Sequence, residues 1–493
     1  MPDTPATIDP EFIAGVPTGW EVGNNIYDEK IYYLTDRAAG SRDFASFENR
    51  LFERLTPNED GTVWTAKLRQ GVMNHLGNEF NAADVKWSFD RAFGLQGLGF
   101  FLAIQVSLTS GDNVRVVDDY TVEFHLDQFS PLFQDQMALM YHANYDSDEV
   151  IAQTSEDDPW ATGFLGNNGI GFGPYYLEEF TAGQQLVLKA NPNYYGGKPA
   201  FDTIIYRAVP DPANRLALLQ AGEVDIALGL SPEQLAVVRE DSNLSVTAEQ
   251  GNTLVAAVIQ ASRPPLDNTL VRQALNYATP SSVILGDVFQ VEASDARSFL
   301  PPRYRTYTDE FFPYTFDPGR AQQLLTEAGI ELPLDLSITY APFDPSFERL
   351  AVALRSAWEE VGVNLTLNQV TPAVFQQVTA DRDFDVLVPP ALSAHIADPI
   401  YTMEIFAGGS RSCCNWGNYV NDEAFAFYDE AAVETDPAAR DQDSVEIQRV
   451  MGEDPPWVVM GVRQWSIAHS KNVANFIWNP QESIWFHELT PGS

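Results

Sequence analysis

"GTVWTAKLRQGVMNHLGNEFNAADVKWSFDRA", residues 61–92, changes its period halfway along. Val63, Thr65 and Lys67 alternate with Trp64, Ala66 and Leu68, the two-residue repeat of a half-buried strand. Asn81 then stands directly before an apolar-periodic run. Its short side-chain acceptor suits an N-cap, and Asp84, three residues on, favours the positive end of the helix that follows. Val85, Trp87, Phe89 and Ala92 give that helix a mostly apolar side. A strand followed so closely by a capped helix predicts a mixed α/β (α+β) chain.

The same alternation continues outward. "VRVVDDYTVEFHL", residues 114–126, reads as a hairpin turning at Asp118-Asp119. "GPYYLEEFTAGQQLVLKANPNYY" reads as strand, turn at Gly183 and strand, with Pro192 ending the second run, and "DTIIYRAV" as a short buried strand. "PANRLALLQAGEVDIAL" predicts a helix stopped near Gly222 and a strand over 224–228. "FDPGRAQQLLTEAGI" and "SFERLAVALRSAWEEVGV" read as helices ended by Gly329 and Gly362. "LDLSITYA", "NLTLNQV" and "FDVLVPPA" read as strands. Polar, Gly-rich stretches at 166–173 and 250–255 mark the expected domain seams. Trp64, Trp87 and Trp358 fall on hairpin or helix faces and are assigned to the core.

At 493 residues, the chain exceeds one ordinary core and predicts two or three domains. With 45% hydrophobic residues it has the material for several cores. The 69 acidic against 29 basic residues leave a formal charge of −40. Such a surface repels nucleic acid and anionic lipid, which excludes those partners. Screening in a salty, halophilic or marine setting would relieve its self-repulsion. No run of 18 apolar residues exists, so no membrane-spanning helix is encoded.

Catalytic signatures are missing. The six histidines, His75, His125, His142, His395, His469 and His487, include no pair three to five apart, so no zinc motif and no metal site is expected. No G-x-S-x-G elbow or phosphate loop occurs, and "GIGFG" is followed by Pro174 where a phosphate-binding helix would begin. Carboxylates are too abundant for a catalytic pair to stand out, so a hydrolase working in an acidic cleft is carried as the reading from another class. No cofactor is expected.

Five segments in order carry a resemblance. Residues 61–92 look like a signature of the family 5 extracytoplasmic solute-binding proteins of ABC importers, the peptide-, nickel- and oligosaccharide-binding group. "GFGPYYLEEFTAGQQLVLKANPNYYGGKPAFDTIIYRAVPDPANRLALLQAGEVDIA" resembles its second hallmark. "PLDNTLVRQALNYATP" and "FDPGRAQQLLTEAG" are similar to its third-domain helices, and "ADPIYTMEIFAGGSRSCCNWGNYVNDEAFAFYDEA" to its ligand-proximal loop. The resemblance covers about Ile8 to about Trp478. It implies a two-lobed clamp: domain I from residues 1–46, 165–255 and 464–493, domain II inserted as 47–164, and domain III as 256–463, with solute held between lobes I and III. It further implies a monomer that delivers a small organic molecule to membrane permease subunits, in a periplasmic or other extracytoplasmic place. The start, "MPDTPATIDPEF", has no basic n-region or apolar core, whereas relatives carry a Gly-Gly-x-Leu-x-x-Gly strand before the pair found here as Asp9-Pro10. An export signal and that first strand are therefore expected upstream.

Two departures bear on the solute. Peptide-binding members of that family place an aspartate three residues before a "DP" pair to hold the ligand's α-amine; in "SAHIADP" that position is His395. A neutral imidazole cannot offer the fixed negative charge a dry ammonium needs. Ala14, in "FIAGVP" beside Val16, likewise stands where a peptide binder has an acid. Asp398 is the substitute to consider. The only cysteines, Cys413 and Cys414, are adjacent, and two readings stand. They close into a vicinal disulfide that packs on solute beside Asn415, Trp416 and Tyr419, or they are reduced thiols acting as small hydrophobes. Trp20 is read as stacking on ligand or packing in the core, and Phe100 and Phe101 as reaching toward ligand from domain II. Arg297, Arg349 and Arg411 are the cations to test against a ligand carboxylate. The expectation is a neutral or ring-bearing solute such as a short oligosaccharide, with a peptide or amino-acid derivative as the alternative.

Overall fold

The computed structural model describes residues 1–13, 17–409 and 412–492. The chain divides into two compact units. Unit 1 comprises Met1–Leu230, Val238–Thr247 and Ile467–Ser493; unit 2 comprises Ser231–Val237 and Ala248–Ser466. The expected division put its later boundaries at 255/256 and 463/464, and unit 1 holds the stretch 47–164 that was expected as an inserted domain.

In unit 1 the opening stretch forms the strand Val63–Leu68, central in a four-stranded antiparallel sheet with Phe52–Pro57, Thr121–His125 and Val114–Asp118. Trp64 sits opposite Phe124 across the pair. The helix Ala82–Leu95 begins at Asn81, whose side chain accepts from Ala83 N–H, and Asp84 accepts from Asn81 N–H to complete a capping box. Phe89 carries that helix onto the sheet through Phe124, at 5.4 Å between ring centroids. A three-stranded sheet, Tyr175–Thr181, Gln185–Ala190 and Thr203–Arg207, turns at Gly183, which adopts φ +72°. The last of these was read as buried, but Ile205 on it is 58% exposed. It is an edge strand with one neighbour, and only Tyr206 on it is buried.

Unit 2 is built on strands in the order Trp457–Ser470, Leu244–Ile259, Val386–Leu387, Leu334–Tyr340 and Val363–Gln369. Leu334–Tyr340 is parallel to both neighbours, the arrangement that crossover helices produce. Helices Thr269–Tyr277, Pro318–Glu327 and Ser346–Glu359 supply the apolar faces of this core. Trp358 is fully buried in it and donates from Nε1 to Thr279 Oγ1 at 3.0 Å, which satisfies the one polar atom of its ring.

One expectation about the seams needs correcting, that 250–255 forms a loop. Residues 250–255 lie inside the sixteen-residue strand Leu244–Ile259 rather than in a loop, and the unit boundary at 247/248 falls within that same strand. Residues 166–173 lie wholly within unit 1. Gly173 there presses on the Ile26 carbonyl, where a Cβ would come within 2.4 Å of the oxygen. Glycine at that point permits close packing. No described helix is long and apolar enough to cross a membrane.

Candidate functional site

In unit 1 the helix Pro17–Ile26 carries Trp20, which is 3% exposed and meets Tyr141 edge-on at 3.9 Å between centroids. Packing governs Trp20 in this arrangement. The same helix buries three polar side chains and stitches them to the C-terminal segment. Asn24 Nδ2 donates to Ser483 Oγ at 2.9 Å, and Asn25 Nδ2 donates to the Ile484 carbonyl at 2.9 Å. Glu21 Oε2 accepts from Ile484 N–H at 3.1 Å. Burial pushes the Glu21 carboxyl up to about 7 despite that bond. Ala14 and Val16 lie outside the described residues.

Phe100 and Phe101 sit half-buried on the helix Leu98–Gln105, and Phe100 meets Phe93 at 5.6 Å. This helix lacks a side-chain cap from its own N-cap residue, Gly97. The donor Gly99 N–H is met instead by Glu11, at 2.9 Å from across the fold. Gly97 and Gly99 leave room for that carboxylate, since a Cβ on either would come within 2.6 Å of a Glu11 oxygen. Next to it Asp9 and Arg91, both fully buried, make a two-pronged pair, with Nη1 to Oδ1 at 3.0 Å. Neither Glu11 nor Arg91 was singled out from the sequence. Arg91 sits in an apolar-looking helical run, and its acidic partner lies 82 residues away.

In unit 2, His395 and Asp398 precede the wholly buried helix Pro399–Ala407. Asp398 caps that helix, accepting from Tyr401 N–H at 2.8 Å, and pairs through both oxygens with Arg440, at 2.9 Å to Nη2. Burial alone would raise its pKa, but Arg440 and the cap hold it below the usual carboxylate range. Asp398 is thus committed to its own helix. Burial lowers His395 to about 4, which keeps the imidazole neutral at physiological pH.

The sulfurs of Cys413 and Cys414 stand 2.30 Å apart, with Cys413 exposed and Cys414 half-buried. Their loop is tied to the carboxyl end of helix Pro399–Ala407. The Ile405 carbonyl accepts from Ser412 Oγ at 2.7 Å and from Cys414 N–H at 3.1 Å. Asn415 Nδ2 donates to the carbonyls of Gly408, at 3.2 Å, and Tyr419, at 2.8 Å, while its Oδ1 accepts from Tyr419 N–H. Asn415 is the brace of the loop, and Tyr419, 1% exposed, its buried anchor. Trp416 is half-buried against Phe406 at 5.8 Å. The candidate cations stand at the surface or beyond description. Arg297 pairs with Asp295 at 3.0 Å with nearly half of each side chain exposed, Arg349 pairs with Glu233, and Arg411 lies outside the described residues.

Two α/β units joined through extended strands define the class, a periplasmic-binding-protein fold. The chain matches the dipeptide binding protein of Pseudoalteromonas sp. SM9913, solved with Met-Leu, at a TM-score of 0.87 and 24% identity, covering 99% of this chain and 98% of that one. The family model of bacterial extracellular solute-binding proteins, family 5, matches residues 46–412, and the chain belongs to that family. Members of it are binding proteins. Among its relatives, the probable D,D-dipeptide-binding periplasmic protein DdpA of Escherichia coli is 26% identical over 97% of this chain and 90% of its own length. The dipeptide-binding protein of Escherichia coli is 30% identical over 64% of this chain and 61% of its own length. The chain is a solute-binding receptor.

Proposed function

We propose that the solute is a peptide or peptide-like amino-acid derivative, captured outside the cytoplasmic membrane by a monomeric receptor and handed unchanged to the permease of an ABC importer. The observation that carries this is the breadth of likeness to relatives named for dipeptides, one of them over nearly the whole chain. That favours peptide over the oligosaccharide expected from the sequence. The carboxylate nearest the expected amine-anchoring position, Asp398, is occupied by Arg440 and a helix cap, and His395 is neutral. The amine of such a solute is therefore read by groups other than these two, or is blocked. Neutral His395 and the ring of Trp416 favour a second reading, an uncharged ring-bearing solute. Under either reading His395, Trp416, Cys413, Cys414, Phe100 and Phe101 are the side chains proposed to contact it, with Asn415 and Tyr419 holding the loop.

Thermal-shift measurements with dipeptides, tripeptides, N-blocked dipeptides and oligosaccharides test this. A ligand present at a hundredfold excess over its Kd stabilises the folded state by about 2.7 kcal/mol. Peptides are expected to raise the Tm and sugars to leave it unchanged; the reverse pattern would overturn the peptide reading. His395→Ala should weaken the shift. Mass spectrometry of the recovered solute should find it intact, and a cleaved product would return the hydrolase.

A further inference from the structure

We propose that the Cys413–Cys414 pair is a redox-modifiable site at which a dithiol reductant loosens the cap over the carboxyl end of helix Pro399–Ala407. This holds whichever solute the receptor takes.

The last carbonyls of a helix have no partner within it and must find donors elsewhere. Here every residue of the helix is buried, which leaves water little access. The Gly408 N–H turns back to the Glu404 carbonyl at 2.7 Å. Among the described residues, the Ile405 carbonyl accepts from two donors of the cysteine-bearing loop, Ser412 Oγ and Cys414 N–H. Downstream, Trp416 N–H donates to the Cys414 carbonyl at 2.8 Å, and the Gly417 carbonyl accepts from Ala261 N–H at 2.7 Å just beyond the strand Leu244–Ile259. The cysteines therefore occupy the span that bridges helix and strand. A bond between neighbouring side chains removes torsional freedom from that span alone, where the second donor to Ile405 originates. The two sulfurs also differ in access, Cys413 being exposed and Cys414 half-buried.

That difference orders the chemistry. A thiolate of the dithiol attacks the exposed Cys413 sulfur, the S–S bond breaks, and Cys414 leaves as a thiolate that takes up a proton. The second thiol of the reagent then attacks the mixed disulfide, forms its own disulfide and releases Cys413, which takes up the second proton. Two electrons and two protons pass to the protein, and one dithiol is oxidised. The span from Ser412 to Asn415 regains torsional freedom, and the Cys414 N–H opens more often from Ile405.

Hydrogen exchange on the whole protein, followed by mass spectrometry of peptides covering 400–420, reads this out. Unreduced protein should resist alkylation at both cysteines, and dithiothreitol should admit two labels. Exchange in that segment should accelerate about tenfold on reduction, as local opening becomes easier, while helix Ser346–Glu359 stays unchanged. The Cys413→Ser/Cys414→Ser variant should exchange like reduced wild type and be indifferent to dithiothreitol. Two alkylatable thiols in unreduced protein, or equal exchange in oxidised and reduced wild type, would overturn the proposal. The wild-type comparison decides alone if the variant fails to fold.

Discussion

Asp398 shows how a residue that looks available in a sequence is spent in the fold. Beside a departed anchor position it invited a ligand role, yet its carboxylate meets Arg440 and starts a buried helix. The partner lies 42 residues downstream in a run with no ligand-like signal, so nothing local gave the pairing away. Removing one member of a buried pair strands the other, which costs about 3–5 kcal/mol. Asp398→Ala should therefore lower the Tm sharply in thermal melts without solute. A variant with unchanged stability would show that Arg440 finds water instead. The depressed carboxyl sets the sign with pH. The pair's contribution is full above the unfolded pKa near 4 and is lost as pH falls through the lower folded value.

Among elements, the helix Pro17–Ile26 carries the clearest pH signature. Glu21 has a folded pKa of about 7, raised by burial, against an unfolded value near 4.5. Its folded form holds a proton that the unfolded chain releases in between. The stability it contributes is thus complete below about pH 4.5 and lost as pH rises through 7. Glu21→Gln should stabilise the protein at pH 8, on the order of 2 kcal/mol, and change little at pH 4.5. Equal effects at both pH values would place an ionised Glu21 in the fold. Elements were also the most legible scale of the sequence. The capped helix after Asn81 and the hairpin over 114–126 announced themselves because cap chemistry and a two-residue period are local. What failed, the strand Leu244–Ile259 read as a loop at 250–255, failed because Gly and Asn there are held by neighbouring strands that sequence does not reveal. For the side chains proposed around 395–419, the sequence offers a place in the chain but not the roles they take within the fold. Whether Asn415 braces a loop or Tyr419 fills a core depends on contacts made only after folding.

For the whole molecule the governing quantity is the charge of −40. The basic side chains are largely taken: Arg91, Arg440, Arg272 and Arg50 are paired inside the units. The acidic excess is left outside. On the helix Pro437–Glu453, burial and, after it, the neighbouring Glu430 and Glu434 raise the pKa of Asp443. Screening shortens from about 10 Å at 0.1 M salt to about 3 Å at 1 M. The Tm should rise by at least about 5 °C over that range, and a flat response would mean that self-repulsion does not limit stability.

The stitch between Asn24, Asn25 and the segment at 483–486 has a consequence for biosynthesis. Its two halves are separated by about 460 positions. At 5–20 residues per second a ribosome needs roughly 20–90 s to emit the second half after the first. Throughout that interval the side-chain amides of Asn24 and Asn25 lack the partners they meet in the fold, whereas the whole 248–466 stretch is emitted before those partners are. Maturation of the two halves is thereby staggered, and the early half stays pliable until translation ends.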